Sequence, residues 1–175
     1  MISQKIDTAI REVPDFPKPG INFKDITTLL LDTSLSNEII DAFIERLKGK
    51  QIDAIVGVES RGFLFGFLLA NKMGVPFIPI RKVGKLPGET LKYKYDLEYG
   101  SAEVEVHKSD VKEGWNVVVH DDLLATGGTA CAASELIQQL GANVAAFAFV
   151  ISLDYLKGNE KLEKYSKVII SLKRY

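Results

Sequence analysis

Residues 117–130 read VVVHDDLLATGGTA, and this stretch decides the fold. Its valines begin a segment rich in β-branched side chains, which is typical of a buried strand. Residues 130–140 are competent to form a helix. Two adjacent carboxylates, Asp121 and Asp122, and then a loop of small residues connect the two elements. A strand, a small-residue loop and a helix in this order are typical of an α/β protein.

The loop of small residues has the composition of a phosphate-binding site. The Gly127–Gly128 pair lets backbone N–H groups approach an anion, and the N-terminus of the following helix adds the positive end of its dipole. Thr126 and Thr129 add hydroxyl donors at the same place.

The paired carboxylates limit the range of possible ligands further. A site for phosphate alone would not place two acids beside the anion, because like charges repel at short range. Carboxylates suit vicinal hydroxyls or a hard cation such as Mg²⁺. The stretch therefore predicts a ribose 5-phosphate. The alternative is a strand end with two solvated acids and an ordinary glycine-rich turn.

The composition predicts a soluble globular protein with one domain spanning residues 1–175. A net charge of −1 excludes a bulk polyanion binder, so we expect no nucleic-acid partner. Cys131 is the single cysteine, which allows no intrachain disulfide. No secretory signal is visible, and the longest apolar runs, residues 63–70 and 144–151, are too short to span a membrane. We expect a cytoplasmic location and no membrane partner.

Hydrophobic periodicity predicts alternating helices and strands joined by short links, hence a parallel sheet with right-handed crossovers. Helices are expected at residues 1–12, from Ser36 as N-cap to Lys48, and at Gly62–Met73; strands are expected at Ile52–Val58, Val75–Ile80, Trp115–His120, Val144–Ile151 and Val168–Leu172. Residues 81–102 break the alternation with basic side chains and glycines, and a loop this long is usually functional. Part of it, with Ala102–His107, is expected to form a hairpin.

Several common motif classes are absent. No two glycines stand at i and i+2, so the dinucleotide fingerprint is missing. Residues 57–62 have the glycine spacing of a P-loop, but Phe63 occupies the position of the lysine that neutralises phosphate charge. Two histidines and one cysteine do not make a zinc set. His120 is expected to end a buried strand rather than to bind a metal.

A second polar segment, residues 59–63 (ESRGF), follows another predicted strand and opens a helix. Ligands of open α/β sheets bind at this rim. Its N–H groups, Ser60 and the Arg61 guanidinium suit a second, more highly charged phosphate group, although a structural salt bridge is the alternative for Arg61. Two anion sites flanking a diol site, beside a basic loop, fit 5-phosphoribosyl 1-diphosphate (PRPP).

These motifs resemble those of the type I phosphoribosyltransferases over essentially the whole chain. Residues 117–129 match the diphosphoribosyl signature of that family, while residues 14–20 (PDFPKPG), 59–63, 84–90 (GKLPGET) and 97–100 (LEYG) are similar to its adenine-using members. The resemblance implies the fold of that family, with a central, mainly parallel sheet flanked by helices. It also implies a small hood for base recognition from residues 1–35, and a mobile catalytic loop within the flexible loop and hairpin of residues 81–107.

The resemblance implies a purine salvage enzyme that transfers the 5-phosphoribosyl group from PRPP to N9 of adenine, giving AMP and pyrophosphate. Mg²⁺ is expected as cofactor without a dedicated protein ligand, held mainly by the substrate near Asp121 and Asp122, and a homodimer is expected. By similarity, the 5′-phosphate site consists of Ala125, Thr126, Gly127, Gly128 and Thr129; the ribose site of Asp121 and Asp122; the pyrophosphate site of Ser60, Arg61, Arg81, Lys82 and Lys85; the adenine site of Asn22, Phe23, Lys24 and Leu123; and the catalytic residues are Glu98, Tyr99, Asp121 and Asp122.

Three positions depart from the usual family pattern. Asn22 and Lys24 stand where members often carry an aliphatic residue and an arginine, which is tolerable if the base is bound by the main chain. His120 replaces a more usual valine. Two other functions compete: an enzyme of the same fold that uses guanine, xanthine or a pyrimidine, and a regulator that senses PRPP while binding nucleic acid. The near-neutral charge and the absence of an added helix-turn-helix segment argue against the regulator.

Overall fold

The computed structural model describes residues 1–97 and 100–175. Strands within these ranges are β1 (Arg11–Val13), β2 (Phe23–Asp25), β3 (Ala54–Val58), β4 (Phe77–Lys82), β5 (Thr90–Asp96), β6 (Ser101–His107), β7 (Asn116–Leu124), β8 (Asn143–Ser152) and β9 (Ile169–Arg174). The α helices are α1 (Ile2–Ala9), α2 (Thr33–Leu47), α3 (Gly62–Met73), α4 (Gly128–Gln139) and α5 (Gly158–Leu162). Within the same ranges, no helix is both long and apolar enough to cross a bilayer.

A sheet in the order β5-β6-β4-β3-β7-β8-β9 organises the chain. Strands β4, β3, β7, β8 and β9 run parallel to one another, whereas β6 pairs antiparallel with both β4 and β5. The β5–β6 pair is the hairpin that the sequence predicted. The mainly parallel sheet with flanking helices confirms the predicted fold class.

Strand β7 lies inside the sheet and contributes to a hydrophobic core on each face. Val117 and Val119 pack in the cluster that contains α4, whereas Val118 packs in the cluster that contains α2 and α3. Side chains of a strand alternate between faces, so a run of valines serves both cores. All three valines are fully buried, so packing on both faces of the sheet fixes the strand that carries the two acids.

Two predicted helix boundaries are wrong. Helix α2 begins at Thr33 and not after Ser36, because the carboxylate of Asp32 accepts the Leu35 N–H at 2.9 Å and caps the helix four residues earlier. The Ser36 hydroxyl instead donates to the Leu29 carbonyl at 2.9 Å. The first helix ends at Ala9, before the predicted stop at residue 12, because residues 11–13 pair with residues 23–25 as a two-stranded ribbon.

Strand β7 also continues past His120 to Leu124, so the expectation that His120 ends it is wrong. The extension is stabilised by pairing with β8, where Asp121 lies opposite Phe149 and Leu123 opposite Ile151. The two acids therefore belong to a strand and not to a loop, which gives their backbone a fixed direction.

His120 is an uncharged histidine in the core beneath the acids. The residue is fully buried, and its ring meets the Phe43 ring edge-on at 5.6 Å. Burial lowers the pKa of His120 from 6.5 to about 4, because the charged imidazolium loses its hydration there.

We predict that His120 makes the protein sensitive to acid. The unfolded chain binds a proton at His120 near pH 6.5 and the folded chain only near pH 4, so stability falls as the pH is lowered through this window. At a pH below both pKa values, this difference lowers the free energy of unfolding by about 3 kcal/mol. His120→Val removes this proton-binding group. As the pH is lowered from 7 to 4, the unfolding midpoint of the variant should therefore fall less than that of the wild type. Parallel midpoint-versus-pH curves would contradict this account.

Candidate active site

The polar segments predicted to bind ligand follow the carboxyl ends of three neighbouring parallel strands. Residues 59–61 follow β3, Arg81 and Lys82 end β4, and residues 121–129 span the end of β7 and the turn after it. Since β3 lies between β4 and β7, the three segments share one rim of the sheet. This rim is where ligands bind in open α/β folds.

The turn between β7 and α4 forms a small anion site. Residues 121 and 123–130, with Phe149, line a cavity of about 80 Å³. Gly127 has φ +81°, a left-handed conformation that favours glycine, and α4 begins at the next residue. Backbone N–H groups at the start of a helix are suited to bind a phosphate.

A residue that sequence reasoning missed holds this turn from outside. The backbone of Gly158 packs so closely that a Cβ atom there would lie 2.2 Å from the Ala125 carbonyl oxygen and 3.0 Å from the Gly127 nitrogen. No side chain fits between the two segments. No local motif announces this contact, because it joins residues about 30 positions apart in the chain.

The two acids are held in different electrostatic states. The Arg61 Nε atom lies 2.9 Å from the Asp122 Oδ2 atom, and Asp122 is 4% exposed. The Asp121 carboxylate accepts the Asp122 backbone N–H at 2.8 Å. Burial, and then the negative charge of Asp122, raises the pKa of Asp121 well above its usual value. One acid is thus paired with a cation, while the surroundings of the other disfavour its charged form.

Arg61 connects these acids to the N-terminal segment. Its guanidinium carbon lies 5.5 Å from the centre of the Phe23 ring, while its Nε pairs with Asp122. The Phe23 ring in turn meets the Phe16 ring at 5.2 Å. Arg61, predicted to bind pyrophosphate, therefore has the structural ion pair that the sequence left open as its alternative.

The basic residues at the end of β4 are anchored by Glu59, which the sequence analysis did not single out. The Arg81 Nη2 atom donates to Glu59 Oε1 at 3.2 Å, and the Lys82 backbone N–H donates to Glu59 Oε2 at 2.7 Å. Burial alone would raise the pKa of Glu59, but these contacts more than offset it and the net shift is downward. Ser60, next to this anchor, lies in the turn before α3, and Lys85 is exposed in the loop after β4.

The side chains of Asn22 and Lys24 point to Glu12 and not to an open base site. Asn22 Nδ2 donates to Glu12 Oε2 at 3.0 Å, and the Lys24 ammonium pairs with Glu12 Oε1. The ammonium also lies 4.2 Å from the centre of the Tyr175 ring. With both side chains occupied, any base contacts from these residues fall to their main chain, which is the condition under which the two departures are tolerable.

A cavity of about 470 Å³ adjoins this segment. Its lining consists of Gly20, Ile21, Asn22, Lys24, Leu153, Tyr155 and Tyr175. Leu153 and Tyr175 directly follow β8 and β9, so the rule that ligands bind beyond strand ends could have found them. Leu123 lies apart from this lining, in the cavity of the β7–α4 turn.

The hairpin reaches the same rim from the side. The Tyr95 hydroxyl lies 3.2 Å from Thr129 Oγ1, and its ring is 3.8 Å from where a Cβ on Gly128 would stand. The predicted catalytic residues Glu98 and Tyr99 lie outside the described residues.

The site fits a magnesium ion only in part. Asp121 and Asp122 offer the hard oxygen ligands that Mg²⁺ prefers. Within residues 1–97 and 100–175, no group of at least three His, Cys, Asp or Glu side chains forms a metal cluster. Two carboxylates leave most of an octahedral shell to substrate and water oxygens.

Comparison with known proteins shows the family of this chain. A family model of the phosphoribosyl transferase domain matches residues 28–174. An adenine phosphoribosyltransferase of Clostridium botulinum is 54% identical over 166 residues, which cover 95% of each chain. This chain belongs to the adenine phosphoribosyltransferase family.

Solved structures of the family share the fold over the full length. The adenine phosphoribosyltransferase of Thermoanaerobacter pseudethanolicus is 48% identical and superposes with a TM-score of 0.95, covering 100% of both chains. That of Saccharomyces cerevisiae, complexed with adenine and an imino-altritol bisphosphate, is 44% identical with a TM-score of 0.90, covering 98% of both chains. The predicted family is confirmed.

We predict that the acid pair lowers the stability of the ligand-free enzyme. The folded chain binds a proton at Asp121 more readily than the unfolded chain does, so ionising Asp121 above its usual pKa of 3.8 costs stability. Asp121→Asn should therefore raise the unfolding midpoint at pH 7, measured in a chelator, and the gain should vanish as the pH approaches 3.8. Asp96→Asn, at an exposed position, is the control and should change little. A lower midpoint for Asp121→Asn at pH 7 would refute this assignment.

Proposed function

We propose that this protein transfers the 5-phosphoribosyl group from PRPP to N9 of adenine, giving AMP and pyrophosphate in purine salvage. The observation that carries the proposal is the Asp121–Asp122 pair. It adjoins a candidate anion site in the turn between β7 and the N-terminus of α4. A diol between two phosphate groups is the ligand that such an arrangement suits. The presence of adenine in the S. cerevisiae structure supports adenine as the base.

In the proposed binding scheme, each part of PRPP contacts a different segment at the rim of the sheet. The backbone N–H groups of residues 125–129 and the hydroxyls of Thr126 and Thr129 bind the 5′-phosphate. Asp121 and Asp122 accept the ribose hydroxyls. Basic residues on the other side bind pyrophosphate; with Ser60 they are Arg61, Arg81, Lys82 and Lys85. For Arg61 this requires the incoming pyrophosphate to compete with Asp122, which separates the ion pair of the free enzyme.

Adenine is proposed to bind under the N-terminal hood. Phe23 and Leu123 supply apolar contacts to the two faces of the purine, and the main chain of Asn22 and Lys24 pairs with its polar edge. The support is that both polar side chains of this segment are already bound to Glu12. Backbone groups can still discriminate bases, because an unpaired donor or acceptor in a closed site is costly.

The reaction requires cationic groups of the protein on the pyrophosphate side of the ribosyl carbon and anionic groups on the side of the ribose ring. Negative charge grows on the leaving pyrophosphate, where Arg81, Lys82 and Lys85 stabilise it. Positive charge grows on the ribose ring, where the carboxylates of Asp121 and Asp122 stabilise it. Bound Mg²⁺ supplies further neutralisation of the phosphate oxygens. Water competes as a nucleophile, so a loop that closes over the site is needed to exclude it.

Glu98 is proposed to accept the proton from the imidazole side of adenine, and Tyr99 to help close the loop. We predict that Glu98→Gln lowers kcat by about 10²–10⁴-fold, the usual worth of general base catalysis. The KM values should change much less, because the amide keeps the shape of the side chain. Steady-state kinetics measure both, and an unchanged kcat would remove Glu98 from the mechanism.

The decisive experiment is a pyrophosphate-release assay with purified protein, PRPP, Mg²⁺ and one base at a time. We expect adenine to be turned over at least about 100-fold faster than hypoxanthine, guanine or xanthine, because the wrong base leaves buried polar groups unpaired. A chelator should abolish the activity. Equal rates with adenine and hypoxanthine would overturn the base assignment, and a nucleic-acid gel shift without any turnover would favour the regulator.

We further propose a homodimer in the cytoplasm. The outer face of α3 supports the dimer, because Leu64, Phe67 and Leu68 are 40%, 56% and 43% exposed and form an apolar patch. Sedimentation equilibrium tests it, and a monomer at micromolar concentration would contradict it. A single cysteine is in keeping with a reducing compartment, and cell fractionation tests the location.

A further inference from the structure

The loop of residues 83–89 runs backwards across the face of one strand. Arg81 on β4 and Lys92 on β5 both lie opposite Glu105 of β6, which separates the two strands. The chain leaves β4 at Lys82, level with Val104, and enters β5 at Thr90, level with His107. It must therefore travel back along β6 between these two points, with no helix to support the crossing.

A single buried carboxylate holds the middle of this crossing. Glu105 is 2% exposed, and its Oε1 atom accepts the backbone N–H groups of Gly84, Lys85 and Leu86 at 2.9, 3.0 and 2.9 Å. Its Oε2 atom accepts the Thr90 hydroxyl at 3.0 Å. Three successive N–H groups that converge on one oxygen form a concave anion site, and here the anion is part of the protein.

The carboxylate is ionised under working conditions. Burial alone would raise the pKa of Glu105, but the hydrogen bonds from Leu86, Thr90, Lys85 and Gly84 outweigh it, and the net shift is downward. Hydrogen bonds to a charged acceptor are about twice as strong as neutral ones. Losing the charge would therefore loosen the loop more than the loss of a single neutral bond.

The contacts converge on the main chain of Lys85. Its N–H donates to Glu105, and its carbonyl accepts from Arg81 Nη1 at 3.4 Å. Arg81 is itself held by Glu59 at 3.2 Å. The peptide groups on both sides of the Lys85 Cα are thus fixed, while the residue as a whole stays exposed at the rim.

We propose that Glu105 is a positioning residue for pyrophosphate binding: it presets the loop so that Lys85 reaches the leaving group without first being ordered. The inference rests on the proposed function for the identity of the anion. Its physical basis is preorganisation, because a loop fixed before binding loses less entropy on binding.

The test compares Glu105→Gln with Glu103→Gln, a matched control two residues away on the same strand at an exposed position. Binding of magnesium pyrophosphate is measured by calorimetry, and KM for PRPP, KM for adenine and kcat by steady-state kinetics. For Glu105→Gln we expect the pyrophosphate Kd and the PRPP KM to rise together about tenfold, the effect of weakening charge-assisted bonds. The adenine KM should stay within about twofold, and the control should match the wild type.

A merely structural role would affect both substrates alike. A Glu105→Gln enzyme with unchanged pyrophosphate affinity, or with equal losses for PRPP and adenine, would overturn the inference. If Glu105→Gln does not fold, Thr90→Val removes one bond to the same carboxylate and should raise the pyrophosphate Kd about two- to threefold with adenine unaffected. No change in that variant would also overturn it.

A double-mutant cycle identifies the group through which Glu105 acts. If Glu105 works through Lys85, the Glu105→Gln effect on pyrophosphate binding should largely disappear in a Lys85→Ala background. Full additivity would contradict the proposed link. Calorimetry needs no turnover, so an inactive wild type would refute the proposed function while the binding data still decide the role of Glu105.

Discussion

Two adjacent carboxylates at the end of a buried strand are the constraint around which this molecule is built. Like charges at neighbouring positions are costly, more so where water is partly excluded. The chain meets the cost in two ways. Arg61 lies 2.9 Å from Asp122, and burial beside Asp122 raises the pKa of Asp121, which disfavours a second negative charge there.

Close backbone approach around the acids explains several of the glycines. A Cβ on Gly62 would lie 2.9 Å from the Asp121 carboxylate, and one on Gly158 would lie 2.2 Å from the Ala125 carbonyl. The first residues of helices α3 and α5 thus pack against the end of β7 from two sides. The site is shaped by main chain as much as by side chains, which suits ligands that are recognised by their phosphates and hydroxyls.

Carboxylates also organise the surroundings of the site. Glu59 holds Arg81, Glu105 holds the loop that carries Lys85, and Glu12 holds the side chains of Asn22 and Lys24. Each acid pairs with a cation or accepts hydrogen bonds from N–H groups in the absence of ligand. The Arg81 side chain and the main chain of Lys82 and Lys85 are therefore held in place before the substrate arrives.

The predictable part of the structure was the part with local signals. Valine runs, glycine stops and helical spacing located the parallel sheet and predicted α3 at Gly62–Met73. The N-cap of α2 was misplaced because Asp32 and Ser36 are both good caps, and the sequence alone does not say which one the packing selects. The strand predicted at Trp115–His120 is too short because acids usually mark a strand end, whereas here pairing with β8 continues the strand through them.

The contacts that hold the site were not predictable for a physical reason. Gly158 against Ala125, Arg61 against Phe23 and Glu105 beneath Lys85 join residues far apart in the chain, and no periodicity encodes such meetings. The phosphate turn was visible because all its parts are consecutive.

The most direct test of the central claim is a crystal structure of this protein with AMP bound. The account predicts the phosphate on the N–H groups and hydroxyls of residues 126–129, with both ribose hydroxyls on Asp121 and Asp122. A phosphate bound at any other place on the rim, or ribose hydroxyls facing away from the two acids, would contradict it.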